Sequence, residues 1–102
     1  VMATGGMRLL EGESGGEAAA KAIYDAITAA VKQTGLDARF AGTISGQQEA
    51  VYSWLTVNYA LGKLAGEGPT DGALDLGGTS AQIAFVPGEP GDAPTLPVTI
   101  GG

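Results

Sequence analysis

The sequence predicts an α/β fold, because strand-like apolar segments alternate with helix-like segments along its 102 residues. The predicted order of elements is strand, helix, strand, helix and hairpin. Eighteen residues are glycine, and several of these glycines stand at the ends of predicted elements, where the chain has to turn. A chain of this length forms one domain at most.

The first predicted helix follows a polar, glycine-rich segment at 11–16. Ser14 and Glu17 have the spacing of a capping box, in which each side chain bonds the free backbone N–H of the other residue. Residues 1–10 are expected to be the end of a strand that runs into a loop, and Gly35 is a suitable helix stop. Apolar residues recur every four positions through the helix, and this stripe consists of Ala19, Ile23, Ile27 and Val31.

The second half of the chain contains a second helix-like segment and a glycine-rich hairpin. Ser45 and Gln48 are spaced as a second capping box. Gly77 and Gly78 separate the two strand-like runs of the hairpin. The predicted elements are, in order, a strand at 39–44, a helix at 47–64, hairpin strands at 73–76 and 81–86, a loop at 87–94 and a strand at 95–100.

Composition excludes several classes of function. The net charge is −6, so the basic surface typical of nucleic-acid-binding proteins is absent. The sequence has no histidine and no cysteine, which excludes histidine acid–base catalysis, thiol chemistry, disulfides and zinc–thiolate sites. No run approaches the ~20 apolar residues that a membrane-spanning helix needs.

The hairpin segment 75–82 contains a pattern suited to phosphate and metal chemistry. Two glycines let backbone N–H groups approach an anion without interference from Cβ atoms. Asp75 beside them can hold a metal ion, through water if that ion is Mg²⁺. Ser80 and Gln82 are two apart, so a strand would place both on one face, where each can orient a water molecule. The alternative is an ordinary hairpin turn with polar residues facing solvent.

Two further segments contain candidate site residues. Glu49 falls in the first turn of the second predicted helix, where the helix dipole stabilises an ionised carboxylate by ~0.3–1 kcal/mol. Such a carboxylate near bound phosphate can take a proton from an attacking water, or it can simply complement the dipole. Thr4, followed by two glycines, can contact phosphate through its hydroxyl and the backbone, or it can belong to an ordinary loop.

Together these segments resemble the motifs of the apyrases, the nucleoside triphosphate diphosphohydrolases. That family carries Ala-Thr-Ala-Gly-Met-Arg-Leu-Leu, which residues 3–10 match with Gly5 in place of alanine. It also carries Ser/Thr-Gly-x-Glu-Glu-Gly-x-Tyr-Gly-Trp-x-Thr-x-Asn-Tyr, which residues 45–59 match. Within that second motif the replacements are Gln48 for the first glutamate, Ala50 for glycine and Ser53 for glycine.

A third motif of the family, Gly-Ala-Leu-Asp-Leu-Gly-Gly-Ala-Ser-Thr-Gln, resembles residues 72–82, with Thr79 for alanine and Ala81 for threonine. All three motifs stand in the order and at the spacing that the family has. In the second motif, Gln48 replaces the first of two glutamates, whereas the general base of the family is the second one, which is retained here as Glu49. The implied chemistry therefore survives this change. Thr79 adds bulk next to the phosphate loop, which is expected to alter its fit.

The resemblance implies part of an actin/Hsp70-like, ribonuclease-H-like fold whose two lobes bind nucleotide in the cleft between them. Residues 1–45 are expected to end the first lobe and 46–102 to begin the second, as one compact fragment. The implied reaction is hydrolysis of nucleoside tri- or diphosphates by water with Ca²⁺ or Mg²⁺. The implied roles are Glu49 as general base, Ser80 and Gln82 as residues that position the water, Asp75 as the residue that holds the cation through water, and Thr4, Gly77 and Gly78 as phosphate-binding residues.

Two alternatives stay open beside this interpretation. The exopolyphosphatase and guanosine pentaphosphate phosphatase family shares the fold and a glutamate–alanine pair like Glu49-Ala50. The other alternative is a catalytically inactive fragment, because the family's first phosphate loop, Asp-x-Gly-Ser-Ser, and the part that holds the nucleobase are not among these residues. The remaining lobes of the parent protein are therefore expected partners. A secretory or extracellular location is suggested by the family alone.

Overall fold

A computed structural model describes residues 1–66, 68–89, 91 and 95–99. The mixture of short strands and helices in these ranges agrees with the predicted α/β class. The elements are β1 (Met2–Ala3), α1 (Gly5–Glu11), α2 (Gly16–Gln33), β2 (Gly42–Thr43), α3 (Gly46–Ala60), β3 (Ala73–Leu76) and β4 (Ala81–Ala84).

The chain divides into two compact units. The first comprises Val1–Gly46 together with Gly77–Ser80, and the second comprises Gln47–Leu76 together with the described residues from Ala81 onward. The assignment of 1–45 and 46–102 to two lobes of a larger fold stays a prediction. None of the helices in the described ranges is long and apolar enough to cross a membrane.

In the first unit, two strands pair in parallel around a helical connection. Met2 pairs with Gly42 and Ala3 with Thr43. The Thr43 hydroxyl donates to Glu11 Oε1 at 2.5 Å and also lies 2.5 Å from the hydroxyl of Tyr24. Through these two partly buried hydrogen bonds, Thr43 connects β2 to the end of α1 and to the middle of α2.

The structure corrects three expectations in this unit. Residues 5–11 form a helix rather than a loop, because this segment contains good helix formers and the Thr4 carbonyl accepts the N–H groups of Met7 and Arg8. The cap of α2 is Gly15 in a left-handed conformation with no side-chain cap bond, so the capping box of Ser14 does not form. Of the predicted strand 39–44, only Gly42–Thr43 is a strand.

The residues that α2 buries differ from the apolar stripe that the sequence predicted. Ala20 is almost fully buried, whereas Ala19 is exposed and Ile23 is 42% exposed. The two buried residues of this helix are the small residues Gly16 and Ala20, and a Cβ at Gly16 would lie only 1.7 Å from Leu10 O, so close approach of neighbouring backbone requires small residues on this side. Gly35, at φ +80°, follows the helix as predicted.

Gly5, the first residue of α1, is buried against the turn that precedes β4. A Cβ atom at Gly5 would lie 2.3 Å from Thr79 Oγ1 and 2.8 Å from Ser80 Oγ. Both Gly5 and Thr79 replace alanine in the family motifs quoted above. The smaller residue at one position therefore makes room for the larger residue at the other, which is how the added bulk of Thr79 is accommodated.

In the second unit, α3 ends earlier than the predicted 47–64. Gly62 adopts φ +69°, Gly62 N–H donates to Tyr59 O at 3.0 Å, and Lys63 N–H donates to Asn58 O at 2.8 Å. This pair of hydrogen bonds is the Schellman arrangement, which stops a helix at a left-handed glycine. The helix therefore ends at Ala60, four residues before the predicted end at 64.

The predicted hairpin is confirmed. β3 and β4 are antiparallel, with Leu74 opposite Ile83 and Asp75 opposite Gln82. β4 ends at Ala84, two residues before the predicted end. Residues 87–89, 91 and 95–99 are neither helix nor strand, so the described part of the predicted last strand does not form. The rest of the predicted loop at 87–94, and Ile100, lie outside the described residues.

Asn58 is the most buried polar side chain of the second unit. It is 0% exposed, and its Nδ2 donates to Trp54 O at 2.9 Å and to Asp71 O at 3.0 Å. Its Oδ1 accepts the Asp71 backbone N–H at 2.8 Å. The amide thereby ties the segment that leads into β3 to the last turns of α3.

We predict that Gly5→Ala lowers the free energy of unfolding by about 1–3 kcal/mol, because the new methyl group overpacks the contact with Thr79 and Ser80. The double variant Gly5→Ala/Thr79→Ala should recover most of the lost stability, because it removes Thr79 Oγ1, the atom nearest to the new methyl group. Gly6→Ala is the matched control, since a Cβ there meets nothing within 4 Å. Denaturant unfolding of the four proteins checks this, and equal stability of Gly5→Ala and Gly6→Ala would contradict it.

We predict that Asn58→Ala lowers the free energy of unfolding by about 2–3 kcal/mol, because the Asp71 N–H and C=O groups lose their partner. Lys63→Ala removes the exposed 2.8 Å ion pair to the same Asp71, and it should cost below about 1 kcal/mol. The two variants are compared by urea unfolding, which is monitored by the fluorescence of Trp54. A loss as large for Lys63→Ala as for Asn58→Ala would show that the buried amide is not the principal connection.

Candidate active site

Four of the sequence-predicted site residues lie in the first unit. Thr4 is the exposed N-cap of α1 and makes no side-chain cap hydrogen bond. Gly77 donates its N–H to Ser80 O at 2.9 Å, which closes the turn. Gly78 is exposed, with nothing within 4 Å of the position its Cβ would take. The turn and the β1–α1 junction meet where Gly5 contacts Ser80.

Ser80 lies in this turn and not in β4. The expected alternation of Ser80 and Gln82 along one face of a strand is therefore wrong. The turn needs Ser80 for its closing hydrogen bond, so β4 begins only at Ala81. The hydroxyl of Ser80 is placed by a different contact, from an arginine on α1.

Arg8 is the residue of the first unit that sequence reasoning missed as a site residue. Its Nη2 donates to Ser80 Oγ at 3.1 Å, and its Nη1 donates to Ile44 O at 2.8 Å. Because the hydroxyl of Ser80 accepts from a cation, its own proton is free to be donated to another acceptor. The signal available from the sequence was an arginine between the apolar residues Met7 and Leu9, inside a motif already singled out.

Three predicted site residues lie in the second unit, and the first of these is Glu49. It falls in the first turn of α3 and is only 8% exposed. A carboxylate is rarely buried to this degree without a specific reason. Its burial in the first turn of α3 is therefore the structural feature that distinguishes Glu49.

Asp75 lies on β3, and its carboxylate accepts a hydrogen bond from a residue of α3. Ser53 Oγ donates to Asp75 Oδ2 at 2.7 Å, and both residues are half-buried. Ser53 stands four residues after Glu49, so the two share one face of the helix. The side of α3 that carries Glu49 is therefore the side that contacts the hairpin at Asp75. Sequence reasoning noted Ser53 only as a departure from a motif.

Gln82 lies directly opposite Asp75 in the hairpin. Its Oε1 atom is buried and has no hydrogen-bond partner among the described residues. Buried amide oxygens are normally satisfied, and an unpartnered one needs an explanation. An acceptor in this state can take a hydrogen bond from a water molecule or a ligand, next to the carboxylate of Asp75.

The side chains present fit a loosely held divalent cation. Within the described ranges there is no group of three or more histidine, cysteine, aspartate or glutamate side chains that could enclose a metal. Mg²⁺ commonly keeps several waters and binds through one or two carboxylates together with substrate phosphates. A single oriented carboxylate such as Asp75 is sufficient for that mode and insufficient for a fully protein-lined metal site.

An open depression in the first unit, of about 510 Å³, contains none of the predicted site residues. It is lined by Glu11, Glu17, Lys21, Tyr24, Asp25 and Thr43, among others. Lys21 Nζ lies 2.6 Å from Asp25 Oδ2, so the positive charge of this lysine is compensated by the neighbouring aspartate. We therefore place the candidate site at the motif residues and not in this depression.

Comparison with known proteins agrees with the motifs. Mouse (Mus musculus) ectonucleoside triphosphate diphosphohydrolase 3 is 40% identical over 98% of this chain and 21% of its own length. The human (Homo sapiens) protein of the same name is 42% identical over 91% of the chain and 19% of its own length. Probable apyrase 4 of Arabidopsis thaliana is 44% identical over 84% of the chain and 17% of its own length. The chain thus spans about a fifth of the length of these relatives.

A family model supports the same assignment. The model of the GDA1/CD39 (nucleoside phosphatase) family matches residues 1–95. The match includes all three motifs and every candidate site residue, and it confirms the resemblance to the apyrases and nucleoside triphosphate diphosphohydrolases. The chain belongs to the GDA1/CD39 (nucleoside phosphatase) family.

Proposed function

We propose that this chain supplies the water-activating and phosphate-binding part of an enzyme that hydrolyses nucleoside tri- or diphosphates and releases inorganic phosphate. The observation that carries the proposal is the arrangement in the second unit. Asp75 accepts a hydrogen bond from Ser53 and lies opposite Gln82, whose buried Oε1 has no partner in the part of the chain that the structure describes. Glu49 shares the helix face of Ser53. A cation-binding carboxylate, a water acceptor and a buried base are the groups that hydrolysis by water requires.

In the proposed reaction, a water molecule attacks the terminal phosphorus and the bond to the leaving phosphate oxygen breaks. Glu49 accepts the proton of that water as general base. We assign the positioning of this water to Gln82, whose Oε1 can accept a hydrogen bond from it, and to Ser80, whose hydroxyl is fixed by Arg8. Positioning and electrostatic stabilisation account for most of the catalysis of phosphoryl transfer.

The remaining predicted residues bind the anionic substrate. The backbone N–H of the exposed residue Gly78 and the hydroxyl of Thr4, which makes no cap bond, are suited to contact phosphate oxygens, with Gly77 completing the loop. Ca²⁺ or Mg²⁺, held by Asp75 through water, would neutralise charge on the phosphates. With a net charge of −6, the chain would depend on such neutral donors and on the cation to bind a polyanion.

We also propose that the chain is part of an actin/Hsp70-like, two-lobed fold, with residues 1–45 ending one lobe and 46–102 beginning the next. One face of the hairpin supports this. Leu74, Leu76 and Ile83 are 65%, 73% and 69% exposed, although a two-stranded hairpin is marginal in water without a covered apolar face. Such an apolar face is expected to be covered in the complete protein.

We predict that Glu49→Gln lowers kcat for phosphate release about 10²–10⁴-fold, because the amide cannot accept the proton of the water. Nucleotide binding should be retained, since the change removes no phosphate contact. The assay uses the natural full-length polypeptide that carries this sequence, with ATP, ADP, UDP and GDP and with Ca²⁺ or Mg²⁺.

The matched control is Glu17→Gln, which changes an exposed glutamate in the first turn of α2. This variant should keep its activity. Unchanged kcat in Glu49→Gln would contradict the role of Glu49. Activity on inorganic polyphosphate but on none of the four nucleotides would contradict the substrate class and favour the exopolyphosphatase alternative.

A further inference from the structure

We infer that Ser53 is a positioning residue that fixes the orientation of the Asp75 carboxylate and thereby strengthens its hold on the divalent cation. The inference rests on the proposed function, in which Asp75 binds that cation. Nothing in the motif comparison assigns a role to Ser53, because the matching family position is glycine and has no hydroxyl. The contact is thus a property of this sequence.

The geometry is that of a charge-assisted hydrogen bond. Ser53 Oγ and Asp75 Oδ2 are 2.7 Å apart, which is the separation expected when a hydroxyl donates to a carboxylate. Only one carboxylate oxygen is used, and no hydrogen bond to Oδ1 is found among the described residues. The hydroxyl therefore restricts rotation of the carboxylate while it leaves one oxygen available to a hydrated cation.

The behaviour of a second hydroxyl on the same helix shows that this contact is specific. Thr56, one turn further along α3, donates to Tyr52 O at 2.8 Å, which is the usual bond of a helical hydroxyl to the carbonyl four residues back. Ser53 instead donates across to β3. Because the partners of a metal-binding group orient it, their loss typically weakens metal binding.

The test is a titration of the metal-free natural full-length polypeptide with Mn²⁺ alone, without nucleotide. Paramagnetic broadening of the amide NMR signals of residues 74–76 reports binding at Asp75 and requires no turnover. The variants are Ser53→Ala, Ser53→Thr, Thr56→Ala and Asp75→Asn, each checked by its thermal unfolding midpoint. Ser53→Ala should fold, since alanine favours the helix.

We expect Ser53→Ala to raise the Mn²⁺ dissociation constant about tenfold, at the low end of the effect for partners of metal ligands. Ser53→Thr, which keeps a hydroxyl, should restore binding, and Thr56→Ala should leave it unchanged. In the Asp75→Asn background, Ser53→Ala should have no further effect.

Two failures are distinguishable. Unchanged Mn²⁺ binding in Ser53→Ala, with binding lost in Asp75→Asn, would overturn the role of Ser53 and leave the proposed function intact. Unchanged binding in Asp75→Asn would overturn the cation role of Asp75, and the inference about Ser53 would fall with it.

Discussion

The guanidinium of Arg8 connects three segments that are far apart in the sequence. It lies on α1, donates to the carbonyl of Ile44 after β2, and donates to the hydroxyl of Ser80 in the turn before β4. Gly5, one turn earlier, contacts the same turn without room for a Cβ atom. A planar group with several fixed donors suits this task, since it can bind a carbonyl and a hydroxyl at once. The position of Ser80 depends on this arginine.

The second unit uses hydroxyl and amide groups in the same way. Ser53 orients Asp75, and Asn58 fixes the chain segment that leads into β3. Gln82 is the exception, because its buried Oε1 has no partner among the described residues. The indole Nε1 of Trp54 on α3 is also buried without a partner among these residues. Of these two unsatisfied groups, Gln82 is the one opposite Asp75, where we propose that water is activated.

The sequence predicted the hairpin, α2, α3 and the family, because motif residues and helix-stop glycines are local signals. It did not predict α1, since Gly5 and Gly6 indicate a loop and only the Thr4 carbonyl contacts reveal the helix. Arg8 and Ser53 were missed because their roles depend on partners 72 and 22 residues away. The periodicity of the sequence also placed Ala19 on the apolar stripe of α2, whereas the folded chain buries its neighbour Ala20.

The most direct test of this account is a double-mutant cycle between Arg8→Gln and Ser80→Ala, measured by the rate of phosphate release from ADP with Mg²⁺ in the natural full-length polypeptide. If Arg8 acts by fixing the Ser80 hydroxyl, the two changes are coupled by about 1.5–3 kcal/mol, the contribution of a hydrogen bond to a charged group. Arg8→Gln should then cost much less once Ser80 is alanine. Effects that add to within about 0.5 kcal/mol would show that the two residues act independently, and they would contradict the account.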